Sequence, residues 1–335
     1  RRATRACAAG YGASAATRGP TGNTGGSVCT GQVVVASLNV RGYDRPSLLR
    51  RKSAGLVGLV MPELTNPIFP AFAQIIETAL ARQGFTPVLC TQTPGGVHED
   101  DYVTMLLDRG VAGIIYVSGL HADSTSDPQR YVTLLERGLP IVLVNGYIEG
   151  VDAPFISNDD VAAMDLALSH LVALGHKDIG LAVGQDRYVP VIRKIIGFRN
   201  AMVSLMGRAD VEDLIERTMF TVEGGAAAAE RLIDKGVTAI VCGSDLMALG
   251  AVRAARLRGL QVPRDLSVVG YDDSTLIAFT DPPLTTVRQS VQAMSEAAVR
   301  ALLDQIHGDP VPRAEYIFRP ELVVRGSTGA APRPR

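Results

Sequence analysis

The chain has 335 residues, of which 47% are hydrophobic and 20% charged, and its formal net charge at pH 7 is −1. This length suffices for two domains with hydrophobic cores, and this balance is typical of a soluble α/β protein. The near-zero charge excludes a global field that would draw the chain to nucleic acid or acidic membranes, so any DNA contact must come from a local patch. The absence of tryptophan and the low aromatic content argue against a stacking platform for single strands.

The cysteines and histidines give no sign of a disulfide framework or a metal centre. Cys7, Cys29, Cys90 and Cys242 are few and scattered, no CxxC pair occurs, and the five histidines lack metal-ligand spacing. No hydrophobic segment of a signal peptide follows the basic start, and no apolar run reaches transmembrane length. We therefore expect a cytoplasmic protein without a metal, another cofactor or a membrane contact.

Residues 1–32 differ in composition from the rest of the chain. They are mostly Ala, Gly, Thr, Ser and Arg, and they contain no Leu, Ile, Met or Phe. Such a segment cannot bury enough apolar surface to form a core. We expect residues 1–32 to be disordered or to be a non-native N-terminus, with the native reading frame resuming near Val33.

From Gly55 onward, short apolar runs alternate with amphipathic segments, which is the pattern of strands alternating with helices. In the first half, strands are predicted at 55–62, 86–92, 112–119 and 139–146, and helices at 67–84, 98–110 and 128–138. The helices end on glycine, the residue that best tolerates the left-handed conformation at a helix C-terminus.

The alternation restarts after "APFISND", residues 153–159. Further helices are predicted at 160–175, 190–207, 223–236 and 246–259, and further strands at 177–184, 238–245 and 265–273. Continuous apolar strands between helices indicate parallel sheets covered on both faces, and right-handed crossovers favour a doubly wound arrangement. Because the series is too long for one open sheet, we predict an α/β fold with two doubly wound parallel-sheet lobes. The last segments, from Pro282 onward, then cross back to complete both lobes.

Polar side chains stand where several predicted strands end, which is where open α/β sheets bind ligands. These strand-end residues are Asn145, Asp159, Ser244 and Asp272. Two lobes with facing strand ends would form a polar cleft. A carboxylate or amide in such a place could instead cap the next helix, and we favour capping for Asp160 and Asp245, which directly precede helical runs. For Asp272 both interpretations stay open.

Four of these segments together resemble the LacI/GalR family of transcriptional regulators. They are "ISNDDVAAMDLALSHLVALGHKDIGLAVG", "RKIIGFRNAM", "TAIVCGSDLMALGAVRAARLRGLQVPRDLSVVGYDDS" and "DPPLTTVRQS". The stretch "GLVGLVMPELTNPIFPAFAQII" is similar to the first strand and helix of that family's effector domain, and the resemblance runs from Leu38 to Gly326. It implies a periplasmic-binding-protein-like (type I) core. In that family a small effector, usually a sugar or a nucleoside-type metabolite, binds between the lobes and changes a dimer's hold on operator DNA.

The resemblance also implies a domain plan. Residues 33–54 are expected to be the remnant of a DNA-binding module and its hinge. The first lobe is expected to comprise 55–157 plus 287–316, the second lobe 158–286 plus 317–326, and residues 327–335 a disordered tail. A homodimer is implied by the family and favoured by the apolar helix from Phe69 to Leu80, and no heptad tail predicts a tetramer.

The family's effector contacts, carried over by position, fall on residues from both lobes. They are Ile68, Phe69, Asn145, Asp159, Lys194, Phe220, Ser244 and Asp272. Carboxylates and amides suit sugar hydroxyls, and apolar walls with a few convergent polar groups are the usual composition of a pocket. Lys194 stands where the family often has Arg, and Arg193 could face the cleft instead. Phe220 could equally be a plain core aromatic.

The family's helix-turn-helix head is not recognisable in residues 1–32. The "LNVRGYDRPS" stretch resembles the end of that module, and the basic run behind it could contact DNA phosphates or be a solvated linker. The candidate DNA contacts are Arg45, Arg50, Arg51 and Lys52, with Leu48 or Leu49 as a minor-groove wedge. From this sequence we expect weak, salt-sensitive and nonspecific DNA affinity at best, and operator DNA as a partner only if an intact head is present.

Three other functions fit the sequence less well than a LacI/GalR-type regulator does. No catalytic motif is present, so we expect no enzyme and no catalytic residue. A periplasmic-type solute-binding protein would share the core architecture, but it has no use for a lead-in that resembles a DNA-binding module. A headless cytoplasmic sugar sensor is the third alternative.

Overall fold

The computed structural model describes residues 34–35, 55–92 and 95–333. The elements of the first half are β1 (Val34–Val35), β2 (Leu56–Pro62), α1 (Ile68–Ala81), β3 (Thr86–Gln92), α2 (Glu99–Asp108), β4 (Gly113–Val117), α3 (Gln129–Glu136), β5 (Ile141–Val144) and β6 (Phe155–Asn158). The longer strands coincide with apolar runs, and helices such as α1 and α3 carry an amphipathic stripe, as the periodicity predicts.

The second half repeats the alternation and then returns to the first lobe. Its elements are α4 (Asp160–Ala173), β7 (Ile179–Val183), α5 (Val189–Met206), β8 (Ile215–Arg217), α6 (Val222–Asp234), β9 (Ala239–Cys242), α7 (Asp245–Leu257), β10 (Ser267–Asp272), β11 (Thr285–Arg288), α8 (Val291–His307), β12 (Glu315–Phe318) and β13 (Glu321–Val323). Gly207 and Gly308 end α5 and α8 in the left-handed conformation, which only glycine adopts without strain.

The strands form two separate sheets, one in each lobe. The first sheet has the order β1-β12-β6-β5-β4-β2-β3 and the second β13-β11-β10-β9-β7-β8. Within each sheet the pairs are parallel, except that β1 pairs antiparallel with β12 and β13 with β11. The prediction of two doubly wound parallel-sheet lobes is thus confirmed.

Each lobe has its own core. In the first lobe, Phe72 of α1 and Leu302 of α8 pack on one face of the sheet, and Leu106 and Tyr131 on the other. In the second lobe, one cluster runs through the sheet and includes Phe198 of α5. With both faces covered, the strands must be apolar throughout, which explains their continuous runs.

Three chain segments cross between the lobes, at 158–160, 288–291 and 318–321. The amide of Asp159 donates to the carbonyl of Phe318 at 2.8 Å, so two of the crossings are joined. The lobe boundaries expected at 287 and 317 fall inside β11 and β12, shortly before these strands end. β11 stays in the second sheet through Arg288, and β12 stays in the first sheet through Phe318, because both strands complete their ladders first.

The expectation of a disordered tail from residue 327 is wrong for the residues that the structure describes. The Ser327 side chain is fully buried; its hydroxyl donates to the Val268 carbonyl at 2.6 Å and accepts from the Thr285 amide at 2.8 Å. The amide of Ala331 donates to the carbonyl of Leu174 at 2.9 Å. The tail is ordered because it supplies partners to buried backbone groups, which composition alone does not reveal.

Among the described helices, none combines the length and the apolarity that a bilayer crossing requires.

Candidate functional site

A cavity of about 500 Å³ lies between the lobes, where the carboxyl ends of strands from both sheets face each other. Its first-lobe wall includes Ile68 and Phe69 at the start of α1, and its second-lobe wall includes Lys194 of α5. The volume falls in the range of about 300–1,000 Å³ that is usual for small-molecule sites. This is the place where open α/β sheets bind their ligands.

The structure brings seven of the nine predicted effector residues to this cavity. They are Ile68, Phe69, Asn145, Lys194, Phe220, Ser244 and Asp272. Asp159 and Arg193 are not among the lining residues. Contact between these residues and an effector stays a prediction.

Strained backbone marks the strand ends that reach the cavity. The non-glycine residues with positive φ in the described part of the chain are Ser118 (48°), Asn145 (63°), Asp272 (116°) and Asp273 (58°). Ser118 follows β4, Asn145 follows β5, Asp272 ends β10 and Asp273 follows it; three of the four line the cavity. Such conformations persist only where the surrounding structure enforces them, and they cluster at functional sites.

Lys194 is buried and its charge is paired within the cavity wall. Its Nζ donates to Oδ1 of Asp160 at 2.7 Å and lies 3.9 Å from the ring centre of Tyr271. The Tyr271 hydroxyl donates to the same carboxylate and accepts from the Asn158 side chain at 2.6 Å. Lys194 thus remains a hydrogen-bond donor toward the cavity while Asp160 balances its charge.

Arg193 is not among the residues that line the cavity, whereas Lys194 is, so the structure does not support the alternative in which Arg193 faces the cleft in its place. Its guanidinium makes a two-pronged ion pair with Glu315 of β12, with N–O distances of 2.6 and 2.9 Å. Because α5 belongs to the second lobe and β12 to the first sheet, this pair ties the lobes together near the crossings.

The roles expected for Asp159 and Asp160 are exchanged in the structure. The Asp159 side chain caps α4 by accepting from the amide of Ala162 at 2.9 Å, whereas Asp160 is buried against Lys194. In the same way Ser244 caps α7, and Asp245 is buried, accepting from Ser274 and Thr286 at 2.7 Å. Capping was expected one residue too late in both cases, because the cap residue has extended backbone and precedes the helix.

Asp272 and Asp273 are consecutive carboxylates at the end of β10, and their surroundings differ. Asp272 lines the cavity and accepts from the Gln289 side chain at 2.7 Å. Burial raises the pKa of this carboxyl well above its usual range, the nearby Asp245 raises it further, and Gln289 and Lys194 oppose the shift. Asp273 instead binds Arg288 and Arg325, both at 2.6 Å, beside a crossing.

Phe220 belongs both to the core and to the cavity wall. It packs against the second-lobe core while lining the cavity. A Cβ atom at Gly184 would lie 2.1 Å from its ring, so the ring position depends on a glycine beneath it. A half-buried ring held in this way can cover the apolar face of a sugar, and Phe69 offers a second ring from the opposite lobe.

Sequence reasoning missed a contact that joins the lobes far from the crossings. We call it the clasp: Asp123 and Ser124 of the first lobe with Arg187 and Tyr188 of the second. Arg187 binds Asp123 at 2.9 Å, its carbonyl accepts from the amide and hydroxyl of Ser124 at 2.8 and 2.7 Å, and Tyr188 forms a β-bridge with Asp123. Arg187 and Tyr188 also line the cavity, so the clasp is part of its wall.

Glu99 is another missed residue, buried behind the first-lobe wall. Its carboxylate accepts from Tyr131 and Gln92 at 2.7 Å and from the amide of Leu120 at 3.0 Å. Gln92 and Leu120 line the cavity. Nothing in the local sequence indicates this role, because its partners lie 7 to 32 residues away.

The site suits a polyhydroxylated ligand rather than a metal. Its amides, carboxyls and ammonium group offer both donors and acceptors, and its aromatic and aliphatic walls offer apolar contact. No cluster of potential metal ligands occurs in the described residues. The candidate DNA contacts Arg45, Leu48, Leu49, Arg50, Arg51 and Lys52 lie outside the described residues.

Known proteins resemble this chain over nearly its whole length. A family model described as a periplasmic binding protein-like domain matches residues 168–328. The chain is 62% identical to the HTH-type transcriptional regulator reg1 of Streptomyces lividans and 61% identical to the HTH-type transcriptional regulator MalR of Streptomyces coelicolor. Both matches cover 93% of this chain and 91% of the relative.

Solved structures give the same result. The transcriptional regulator CelR in complex with cellobiose has a TM-score of 0.73 at 30% identity, covering 82% of this chain and 85% of that one. The lac repressor dimer bound to operator and the anti-inducer ONPF has a TM-score of 0.71 at 26% identity, covering 83% and 96%. These relatives are regulators, which confirms the expectation that the protein is not an enzyme. The chain belongs to the LacI/GalR family of transcriptional regulators.

Proposed function

We propose that the cavity between the lobes binds a sugar effector, and that the bound sugar changes the affinity of a homodimer for operator DNA. The observation that carries this proposal is the convergence of Asn145, Asp272 and Ser118 on one cavity, from strained strand ends of both lobes. The cellobiose complex of CelR supports the choice of a sugar. As a regulator of transcription, the protein would act in the cytoplasm.

Coupling to DNA requires that the effector distinguish two arrangements of the lobes. The second lobe reaches the cavity with Asp272, and the next residue, Asp273, binds Arg288 beside a crossing. Gln289, within that crossing, donates to Asp272. An effector that engages Asp272 would therefore act on a crossing through adjacent residues of the chain.

A homodimer is supported by an apolar surface on the second lobe. Leu257, Leu276 and Phe279 are 74%, 73% and 83% exposed, and Arg256 at the end of α7 donates to the carbonyl of Asp281 at 3.1 Å, which brings these segments together. The lac repressor relative is a dimer. In α1, Ile68, Phe72, Ile76 and Leu80 are buried in the core of their own lobe, and the half-buried Ile75 and Ala79 remain on its surface for a partner.

The test uses the 335-residue chain and the DNA that it selects from a pool of random duplexes, and failure to enrich any sequence would overturn operator binding by this chain. Cellobiose, maltose and ribose are titrated against the complex, and the affinity of the free protein for each sugar is measured by calorimetry. The proposal expects one sugar to change DNA affinity by some factor, and DNA to change affinity for that sugar by the same factor. Sugar binding without any change in DNA affinity would overturn the coupling.

A separate experiment tests the dimer surface. Phe279→Glu in the same chain should give a monomer by sedimentation, whereas an unchanged dimer would show that this surface is not the dimer interface.

A further inference from the structure

The charges around the cavity discriminate between neutral and anionic sugars. Among the described lining residues, the charged side chains are those of Glu63, Asp160, Arg187, Lys194 and Asp272. Three are acidic and two are basic. A phosphate or carboxylate on a ligand would need a cation that is free to balance it, because an anion taken out of water without a partner is strongly disfavoured.

Neither cation is free. The Lys194 ammonium is held by Asp160 at 2.7 Å, and both side chains are about 5% exposed. The Arg187 guanidinium is shared by three groups: Asp123 at 2.9 Å, the Gln185 side chain at 3.0 Å and the Tyr188 hydroxyl at 2.9 Å. Each positive charge already has its carboxylate.

The N-termini of α4, α6 and α7 are capped by side chains of the chain itself. Those of α1 and α5 also reach the cavity and have no side-chain cap, but Pro70 and Pro190 each remove one amide from their first turns. The N-terminus of a helix is a common place for phosphate to bind. Here Asp159 caps α4, Thr221 caps α6 and Ser244 caps α7, each accepting from an amide of the first turn. Thr221 and Ser244 line the cavity, so a phosphate would have to displace these side chains.

We infer that the effector is an uncharged carbohydrate, recognised through its hydroxyls, and that the paired charges of the cavity exclude phosphorylated and acidic sugars. This inference rests on the proposed function. In it, Lys194 is a donor to a hydroxyl and not an anchor for an anion. A carbohydrate hydroxyl can accept from Lys194 and donate to Asp272, which lets one ligand satisfy both without a net charge.

The experiment compares matched pairs of sugars on the full-length protein by calorimetry. The pairs are glucose and glucose 6-phosphate, trehalose and trehalose 6-phosphate, maltose and maltobionate, and lactose and lactobionate. We expect the tightest ligand to be neutral and to bind at least about tenfold more tightly than its anionic partner. An anionic member that binds as tightly or more tightly would overturn the inference and leave the sugar site intact. If none of the eight binds, and cellobiose and ribose do not bind either, the proposed function fails with it.

Two variants test the cause. Asp160→Asn keeps an oxygen to accept from Lys194 but releases its positive charge, and Asp123→Asn does the same for Arg187. At least one should shift the preference by about tenfold or more toward the anionic member of a pair. Asp234→Asn, which removes the exposed partner of Arg258 away from the cavity, is the matched control and should not shift it. If wild-type selectivity persists in both cavity variants, charge pairing is not its cause and the inference is wrong.

Discussion

Asp123 of the first lobe and Arg187 of the second are joined by a salt bridge of 2.9 Å across the cleft. Asp123 follows β4 and Arg187 follows β7, which lie toward the β3 edge and the β8 edge of their sheets. The crossings leave from β6, β11 and β12, which lie nearer the opposite edges. The lobes are therefore held both near the crossings and on the far side of the cavity. An effector that enters or leaves on this side must open the clasp.

Removing the arginine of the clasp should accelerate effector exchange. Arg187 is nearly half exposed, so its salt bridge is expected to be worth only about 0.2–1 kcal/mol, and Arg187→Ala should raise the dissociation rate by about 1.4-fold to fivefold. Stopped-flow fluorescence or surface plasmon resonance would measure this rate. Arg258→Ala, which breaks a salt bridge between α6 and α7, is the control. Equal rates in wild type and Arg187→Ala would show that the clasp does not restrict exchange.

The pH dependence of stability should reveal Asp272. Its pKa is raised by burial above the unfolded value of about 3.9, so the unfolded chain ionises first as pH rises. The contribution of Asp272 to the free energy of unfolding therefore falls as pH rises from the unfolded pKa through the raised folded pKa, by about 1.4 kcal/mol for each tenfold difference in proton affinity.

Asp272→Asn removes this ionisation, keeps an acceptor for Gln289 and tolerates the positive φ. Urea unfolding from pH 4 to pH 8 should show the variant gaining stability relative to wild type as pH rises. A difference that stays constant over this range would contradict the raised pKa.

The buried pair of Lys194 and Asp160 should be costly to break from one side only. Lys194→Met leaves a buried carboxylate without its cation, and a loss of about 3–5 kcal/mol is expected. The double variant Lys194→Met with Asp160→Leu should recover much of that loss, since no buried charge then remains. Denaturant unfolding of the two singles and the double gives the coupling energy, and simple additivity would refute the pairing.

The ordered tail should contribute to stability through Ser327. Its hydroxyl serves a buried amide and a buried carbonyl at once, so Ser327→Ala should cost about 1–3 kcal/mol in unfolding free energy. Ser204→Ala, on the exposed face of α5, is the matched serine control and should change little. A loss in Ser327→Ala no greater than in the control would mean that the tail is dispensable.

The fold could be predicted from the sequence because its signals are local. Continuous apolar runs such as the one at Ile179 to Val183 are what a strand buried on both faces requires, and glycines such as Gly207 end helices by a conformation that other residues avoid. The tail could not be predicted, because Ser327 is ordered by partners at 268 and 285 that composition does not show.

The position of a residue at the cavity was predicted where family positions and strand ends coincide, as at Asn145 and Asp272. It was mispredicted where the answer depends on the direction of a side chain. Neighbours on a helix point to different sides, so Lys194 faces the cavity while Arg193 reaches Glu315. Arg187 was missed because its partner Asp123 is distant in sequence and the pairing exists only after both lobes have folded.

The most direct test of the central claim is a crystal structure of the protein grown with the sugar that binds most tightly in the calorimetric panel. The sugar should lie between the lobes, with its hydroxyls within hydrogen-bond distance of Asp272, Asn145 and Lys194 and a ring face against Phe220 or Phe69. A sugar bound elsewhere on the chain, or one in the cavity that touches none of these polar groups, would contradict the assignment of this cavity as the effector site.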